Sequence, residues 1–366
     1  MYQAPLPSEY QNLSDAELSR RIDLARASLG SRLVILGHHY QRDEIIAHAD
    51  FRGDSYKLCL DANARPEAEF IVFCGVHFMA ESANILTDKR VILPNLAAGC
   101  SMADMANQFQ VKNCWKQLEE ILPDCKMIPI TYINSAANLK AFVGEKNGTV
   151  CTSTNAPMTL QWAIDEGADK ILFFPDQHLG RNTAYKMGFD PETDMVLWDP
   201  FKPLGGNDPE AIRRAKFILW KGHCSVHKRF TVEQIEGARQ SHVGCQVVVH
   251  PECPLDVVLA ADLAGSTEFI LKTVTKAPAG STWAVGTEIN LVNRLAKENK
   301  DKTIFCLDPQ ICPCSTMYRI HPSFLLWCLE NLVAGNVVNE IVVPPKVREL
   351  SRIALERMIH IGKPKD

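Results

Sequence analysis

The sequence lacks the features that would place the protein in a membrane or on nucleic acid. No apolar run approaches the length needed to span a bilayer, and the first residues show no basic region followed by an apolar one. The net charge is only −4 and the pI is about 6.3, so there is no general electrostatic footprint for nucleic acid or lipid headgroups. We therefore expect a cytoplasmic protein that binds neither nucleic acid nor a membrane.

Cysteine pairs with Cys-x2-Cys spacing are also absent, although the chain has 13 cysteines. Structural zinc sites usually use such pairs, and a reducing cytosol disfavours disulfides. Free cysteine is also a good small core residue. Six cysteines lie within apolar runs and are predicted to be core residues: Cys59, Cys74, Cys151, Cys245, Cys306 and Cys328.

Three other cysteines follow runs that are predicted to be buried strands. The runs and their cysteines are 91–93 with Cys100, 217–220 with Cys224, and 303–305 with Cys314. Because parallel strands direct their carboxyl ends into the crevice where α/β sheets bind ligands, the three thiolates are expected to meet. A four-iron cluster normally takes four cysteines, so three would leave one iron open as a Lewis acid. Three purely structural cysteines are the alternative.

Short apolar runs alternate with helical stretches along the whole chain, which predicts βαβ units and parallel sheets. A capping pattern at Ser14 to Glu17 predicts a first helix that ends near Leu29. The apolar runs recur in three sets. Each set has four members. The first is a strand that ends near a histidine or tyrosine, the second is a serine or threonine turn, the third is another strand, and the fourth is the strand that precedes a cysteine. This recurrence indicates three repeated α/β units with polar residues on one rim.

The polar residues at the strand ends suit acid–base chemistry and anion binding. His250 and Glu252 are two residues apart and can share one face of an extended segment, so they can move protons together. The hydroxyls of Ser55, Ser153 and Thr267 suit phosphate or carboxylate oxygens, although they can equally be simple helix N-caps.

Taken in order, these motifs resemble the quinolinate synthase (quinolinate synthetase A) family from about Leu33 to Met317. The matching segments are 37–41 (GHHYQ), 53–55 (GDS), 74–81 (CGVHFMAE), 98–104 (AGCSMAD), 132–134 (YIN), 152–155 (TSTN), 174–176 (FPD), 250–253 (HPEC), 265–267 (GST) and 286–288 (GTE). Each segment alone is a weak signal, whereas the complete ordered set is highly specific.

The resemblance implies an α/β fold of three pseudo-symmetric, three-layer α/β/α domains, with short parallel sheets around a central [4Fe–4S] cluster. The implied domains are 30–113, 114–230 and 231–322, with flanking helices in 1–29 and 323–366. The cluster ligands would be Cys100, Cys224 and Cys314. Cys314 is preferred over Cys312 because the family's third ligand is followed three residues later by methionine, here Met317.

The resemblance also implies the reaction, in which iminoaspartate and dihydroxyacetone phosphate condense to quinolinate, phosphate and two waters during NAD biosynthesis. L-aspartate oxidase is a possible supplier of iminoaspartate. The implied catalytic residues are Tyr40, a mobile acid/base for the triose step, Glu252, a proton acceptor, and His250. The implied substrate-binding residues are His38, Ser55, Tyr132, Ile133, Asn134, Ser153, His250, Pro251, Glu252 and Thr267.

Three other functions remain as alternatives at this point. A cluster-dependent hydro-lyase of the aconitase kind would be expected to carry a Cys-x2-Cys pair. A non-catalytic iron–sulfur sensor or carrier would need a basic DNA-binding helix or a fourth cysteine ligand, and would leave the strand-end His, Tyr and Glu residues without a role. A cluster-free sugar-phosphate enzyme would keep its activity when Cys100, Cys224 and Cys314 are all changed to serine.

Overall fold

The structure is a computed structural model that describes residues 3–61, 63, 65–310 and 313–362. These residues form an α/β protein in which short, mostly parallel sheets are flanked by helices, as the sequence predicts. In the part of the chain that is described, no helix is both long and apolar enough to cross a membrane.

The strands follow continuous apolar runs, and most of their side chains are buried. Their bounds are β1 Leu33–His38, β2 Phe51–Gly53, β3 Phe70–Cys74, β4 Arg90–Ile92, β5 Met127–Tyr132, β6 Thr149–Cys151, β7 Lys170–Phe174, β8 Met195–Trp198, β9 Phe217–Trp220, β10 Gln246–Val249, β11 Leu263–Ala264, β12 Thr282–Gly286, β13 Thr303–Cys306 and β14 Glu340–Ile341.

The helices alternate with the strands along the chain. Their bounds are α1 Asp15–Leu29, α2 Asp43–Ile46, α3 Ser55–Asp61, α4 His77–Leu86, α5 Ser101–Asp104, α6 Gln108–Ile121, α7 Ala137–Glu145, α8 Ala156–Asp165, α9 Gln177–Lys186, α10 Pro209–Arg214, α11 Val232–Ser241, α12 Leu255–Ala260, α13 Thr267–Lys276, α14 Ile289–Glu298, α15 Pro322–Val333 and α16 Pro345–Ile361.

The described residues form three sheets that share one strand order. The sheets are β14-β4-β3-β1-β2, β6-β5-β7-β9-β8 and β11-β10-β12-β13. If β8 and β14 are set aside and the remaining four strands of each sheet are numbered along the chain, all three sheets read 2-1-3-4, and these four strands are parallel. The first two sheets each add one edge strand, β14 (antiparallel) and β8 (parallel).

The prediction of three short parallel sheets is therefore confirmed. The structure differs from the prediction at the serine or threonine turn of each repeat. The sequence predicts serine or threonine turns there, and each turn is preceded by a very short strand, namely β2, β6 or β11. These strands have only two or three residues, too few to show a hydrophobic period.

The chain divides into two compact units, and each is described by itself. The first unit comprises Met1–Cys100, Glu288–Arg294 and Ile311–Pro344, and contains the sheet that begins with β1. The second comprises Ser101–Thr287, Leu295–Gln310 and Pro345–Asp366, and contains the other two sheets. The predicted boundaries of the three repeats and the flanking segments stay a prediction, and residues 1, 2 and 363–366 of those segments lie outside the described residues.

Helix α1 begins and ends where its capping pattern predicts. Ser14 is the N-cap, and its hydroxyl accepts a hydrogen bond from the Glu17 backbone N–H at 3.3 Å. Within the first unit α1 packs against α15, where the two oxygens of Glu330 accept hydrogen bonds of 2.8 and 2.6 Å from Arg21. The Tyr10 hydroxyl also donates to Glu330 at 2.8 Å, and burial together with this bond raises the pKa of Tyr10 to about 12.

We expect Glu330→Ala to lower the free energy of unfolding by about 1–3 kcal/mol, because Arg21 and Tyr10 would lose a half-buried acceptor. Urea unfolding followed by circular dichroism measures this change. Glu17→Ala is the matched control, since Glu17 also accepts two hydrogen bonds from one arginine, Arg20, but both side chains are exposed. Equal losses in the two variants would contradict this account.

Candidate active site and cysteine loops

The three predicted cluster ligands have the same spacing to the helix that follows their loop. Each is followed by serine at the next position, and a helix begins eight residues after each cysteine, namely α6, α11 and α15. The residue seven positions after each cysteine is the N-cap of that helix and accepts a backbone N–H with its side chain: Asn107 from Gln110, Thr231 from Gln234, and His321 from Ser323. The same spacing in three loops makes Cys100, Cys224 and Cys314 equivalent positions.

Burial separates these three cysteines from most of the others. Seven of the described cysteines are buried: Cys59, Cys74, Cys114, Cys151, Cys245, Cys253 and Cys328. Cys100, Cys224 and Cys314 are only partly buried. Cys125 and Cys306 are partly buried too, which makes Cys306 less buried than the sequence predicts. Thiolates are the usual ligands of iron–sulfur clusters, so partial burial leaves these three cysteines as candidate ligands.

The approach to Cys224 is tight and depends on glycine. The carbonyl of Gly222 accepts a hydrogen bond from the backbone N–H of Gln177 at 3.0 Å. A Cβ at residue 222 would lie 2.3 Å from the Pro175 carbonyl oxygen, so a larger residue would displace the loop. In the first unit the backbone makes the corresponding contact, because the Ala98 carbonyl accepts from the His77 N–H at 2.8 Å.

In the second unit, polar side chains converge on the buried carboxylate of Glu252. Oε1 accepts a hydrogen bond from the Tyr132 hydroxyl at 2.6 Å, and Oε2 lies 2.8 Å from Nδ1 of His227. The other ring nitrogen of His227, Nε2, lies 3.1 Å from the Thr287 hydroxyl. Tyr132 and Glu252 are thus joined as one hydrogen-bonded network, with His227 as a third member.

This environment keeps Glu252 ionised. Burial by itself would raise the pKa of Glu252. The attraction of the His250 and His227 rings in their protonated forms, together with the hydrogen bonds from His227 and Tyr132, outweighs burial and lowers this pKa to about 2. Burial and the neighbouring His227 lower the pKa of His250 to about 3, so this imidazole is neutral near pH 7. The pair therefore presents a carboxylate and a neutral ring side by side.

The His250 ring is oriented by its own backbone and by a neighbouring ring. Its Nδ1 accepts a hydrogen bond from the Glu252 backbone N–H at 3.3 Å, and the ring stacks on His227 with centroids 4.2 Å apart. Because Nδ1 is an acceptor, the neutral ring carries its proton on Nε2. His250 is therefore oriented as an Nε2–H donor.

In the first unit, His38 repeats this arrangement. Its Nδ1 accepts a hydrogen bond from the Tyr40 backbone N–H at 3.1 Å, two residues later as in the His250 segment. The Tyr40 ring packs edge-on against His38 with centroids 4.8 Å apart. Two nearby main-chain carbonyls accept hydrogen bonds from side chains. The Asn290 side chain donates to the Tyr40 carbonyl at 3.3 Å, and the Arg294 side chain donates to the His39 carbonyl at 2.9 Å.

One interpretation of the sequence made Ser55 and Thr267 helix N-caps, and the structure does not support it. Ser55 and Thr267 are the first residues of α3 and α13, and the preceding residues act as caps. Asp54 accepts from the Lys57 N–H at 2.9 Å, and Ser266 accepts from the Phe269 N–H at 3.3 Å. Anion binding by Ser55 and Thr267 therefore stays a prediction.

The segment after β5 and the turn after β6 complete the predicted residues of the second unit. The Ile133 N–H donates to the Cys151 carbonyl at 2.8 Å, and Ser153 lies in the turn that follows Cys151. No described residue donates to the Oδ1 atom of Asn134, although this atom is buried, so a ligand group can satisfy it. The Pro251 carbonyl accepts from Asn182 at 2.8 Å, which fixes the chain between His250 and Glu252.

The sequence reasoning missed His227. It lies three residues after Cys224, and the available signal was this Cys-x2-His spacing in a segment already singled out for its cysteine. The sulfur of Cys224, a ring nitrogen of His227 and a carboxylate oxygen of Glu252 all lie within 4.8 Å of one another and could hold a metal ion. However, both ring nitrogens of His227 already make hydrogen bonds, so a single ion there would have to break one. This favours proton handling by His227 and Glu252.

Comparison with known proteins identifies the family of the chain. The family described as "Quinolinate synthetase A protein" matches residues 21–360 of the chain. Quinolinate synthase from Corynebacterium glutamicum is 60% identical over 361 residues, which cover 98% of this chain and 91% of that protein. Quinolinate synthase from Herpetosiphon aurantiacus is 56% identical over 359 residues, covering 97% and 95%.

A more distant relative gives the same result. Quinolinate synthase from Anoxybacillus flavithermus is 50% identical over 356 residues, which cover 97% of this chain and 96% of that protein. The matches extend over nearly the whole length of both partners, so they include every cysteine loop and strand end described above. The resemblance predicted from the sequence is confirmed, and the chain belongs to the quinolinate synthetase A family.

Proposed function

We propose that the chain condenses iminoaspartate with dihydroxyacetone phosphate to give quinolinate, phosphate and two waters. Quinolinate synthesis as a step of NAD biosynthesis follows from membership of the family. The choice of the two substrates and the roles of individual residues are the proposal. The observation that carries it is the buried Tyr132–Glu252–His227 network next to Cys224, because it places a proton acceptor beside a proposed cluster ligand.

The proposed cofactor is a [4Fe–4S] cluster held by the thiolates of Cys100, Cys224 and Cys314. Their equivalent loops and partial burial support this ligand set. When bound, the iron without a cysteine ligand supplies Lewis acidity, which stabilises negative charge that develops on a substrate oxygen. The alternatives of a hydro-lyase, a sensor and a cluster-free enzyme have no support from the family match.

Condensation, imine formation and dehydration all require proton transfers. The proposed residues differ in their protonation state at the start of the reaction. Glu252 is ionised and accepts a proton, while the Tyr132 hydroxyl on Oε1 and His227 on Oε2 hold the carboxylate in place. His250 is neutral and donates from Nε2 to a substrate carboxylate. His38 has the same Nδ1 contact and takes the same role in its own unit.

Tyr40 is the proposed acid/base for the triose step. Its backbone N–H and carbonyl both make hydrogen bonds, to His38 and from Asn290, whereas its side chain is only partly buried. The main chain of Tyr40 is therefore held at both of its polar groups, and the ring is the part of this residue that we propose to move. The remaining proposed substrate-binding residues are Ser55, Ile133, Asn134, Ser153, Pro251 and Thr267. The cytoplasmic location and the supply of iminoaspartate by an L-aspartate oxidase stay predictions.

The experiment that tests this function is a quinolinate assay on protein purified and handled without oxygen. Iminoaspartate is generated in the assay, dihydroxyacetone phosphate is added, and quinolinate and phosphate are measured together. We expect equal amounts of the two products, and no quinolinate when dihydroxyacetone phosphate is omitted. Phosphate release without quinolinate, or quinolinate without the triose, would contradict the proposal.

We expect His227→Ala to lower kcat about 10–100-fold, which corresponds to the loss of one charged hydrogen bond to Glu252. Steady-state kinetics on protein with a measured iron content give this value. His242→Ala, at the exposed end of α11, is the control and should leave kcat unchanged. Wild-type kcat in His227→Ala would show that Glu252 works without this contact.

A further inference from the structure

Two of the family motifs, 174–176 (FPD) and 286–288 (GTE), end in an acidic residue that the proposed reaction does not use. Both follow the third strand of their repeat and end in a carboxylate, Asp176 or Glu288, directly before a helix. Both acidic residues are 0% exposed to solvent. Burial of a carboxylate costs free energy unless its oxygens accept hydrogen bonds. The hydrogen bonds of Asp176 and Glu288 therefore indicate what these residues do.

Asp176 joins the start of α9 to the loop of Cys224. Its Oδ1 accepts a hydrogen bond from the Leu179 backbone N–H at 2.7 Å, which is an ordinary N-cap contact. Its Oδ2 accepts from the backbone N–H of Cys224 at 3.2 Å. One side chain therefore fixes the main chain of a cysteine relative to the sheet.

Glu288 makes the same connection for Cys314. Its Oε2 accepts from the backbone N–H of Asn290 at 2.8 Å, at the start of α14. Its Oε1 accepts from the backbone N–H of Cys314 at 3.1 Å. The two carboxylates thus have one oxygen on a helix N-terminus and the other on a cysteine N–H.

The first repeat provides an internal comparison. Its equivalent residue is Val76, the N-cap of α4, which has no carboxylate to offer to the loop of Cys100. Helix capping alone needs only one acceptor oxygen, because the single hydroxyls of Ser14, Thr231 and Ser266 are enough to cap their helices. The carboxylates are distinguished by their second oxygen, which is used on the cysteine.

We propose that Asp176 and Glu288 are positioning residues that hold Cys224 and Cys314 in place for the iron–sulfur cluster, a task that Val76 at the equivalent position of the first repeat cannot perform. This inference rests on the proposed cluster. Residues that orient metal ligands without touching the metal typically change metal affinity about 10–100-fold when they are replaced. The side chains themselves contact neither substrate nor iron in this account.

Serine at the three equivalent positions separates helix capping from cysteine positioning. In Asp176→Ser and Glu288→Ser, the hydroxyl can cap the helix as Ser14 does, but it is too short to reach the cysteine N–H as well. Val76→Ser introduces the same residue into the first repeat and is the matched control. Each protein is loaded with cluster without oxygen, and the loss of the cluster's visible absorbance to an iron chelator is timed. Thermal unfolding is recorded in parallel.

We expect cluster loss about 10–100-fold faster than in the unmodified chain for Asp176→Ser and Glu288→Ser, and unchanged for Val76→Ser. If a serine variant does not fold, Asp176→Asn and Glu288→Gln replace it. An amide offers one acceptor oxygen to two N–H groups, so faster loss is again expected. Cluster loss in the acidic-site variants at the rate of Val76→Ser would overturn the inference. An unmodified chain that binds no iron would instead overturn the proposed function, and the inference with it.

Discussion

A Cys314→Ser variant purified without oxygen is expected to hold almost no cluster and to make no quinolinate, whereas Cys312→Ser should retain both. Serine lacks the thiolate that iron requires, and a four-iron cluster with one open iron needs thiolates on its other three irons. With one ligand lost, the protein has only two of them. The same loss is expected for Cys100→Ser and Cys224→Ser.

Comparison of the Cys312 and Cys314 variants is informative because only Cys314 has the spacing to the next helix that Cys100 and Cys224 show. Cys314 lies seven residues before the N-cap His321, the spacing that Cys100 and Cys224 show to their own caps. Cys312 itself lies outside the described residues. Iron, acid-labile sulfide and quinolinate formation are measured on each variant. Loss of the cluster in Cys312→Ser with retention in Cys314→Ser would reverse the ligand assignment.

Glu252→Gln is expected to lower kcat about 10²–10⁴-fold while the protein still binds its cluster. The amide cannot accept a proton, and this is the usual contribution of one acid–base group. The substitution keeps the size of the side chain and one acceptor oxygen for the Tyr132 hydroxyl, so the fold should be preserved. The KM values should change much less than kcat if proton transfer is the lost function.

Steady-state kinetics and an iron determination on the same sample measure this effect. Glu210→Gln, at an exposed position in α10, is the control for the change of charge and should behave as the unmodified chain. Wild-type kcat in Glu252→Gln would remove Glu252 from the proton transfers. A loss of iron equal to the loss of activity would instead make it a structural residue of the Cys224 loop.

Much of the fold could be predicted because buried parallel strands leave a strong sequence signal. Runs such as 171–174 are apolar at every position, and both bounds of α1 follow from a local cap. The edge strands β8 and β14 were not predicted. β14 has two residues and depends on an antiparallel pairing with β4, about 250 residues away in sequence, and no local pattern encodes such a partner.

The candidate site shows the same division between local and long-range information. Tyr132, His250 and Glu252 were predicted from their places at strand ends, and the structure joins Tyr132 and Glu252 by a hydrogen bond. His227 and the second oxygens of Asp176 and Glu288 were not predicted. Their partners lie 25 to 48 residues away and are brought close only by packing of loops. Spacing in sequence gives no measure of such contacts.

The number of iron and acid-labile sulfide atoms per chain in the unmodified protein, purified without oxygen, tests the proposed [4Fe–4S] cluster. The account predicts about four of each, as expected of one [4Fe–4S] cluster. The same sample should make quinolinate. A folded chain with no iron and no sulfide that still makes quinolinate would contradict the account, because Cys100, Cys224 and Cys314 would then have no ligand to hold.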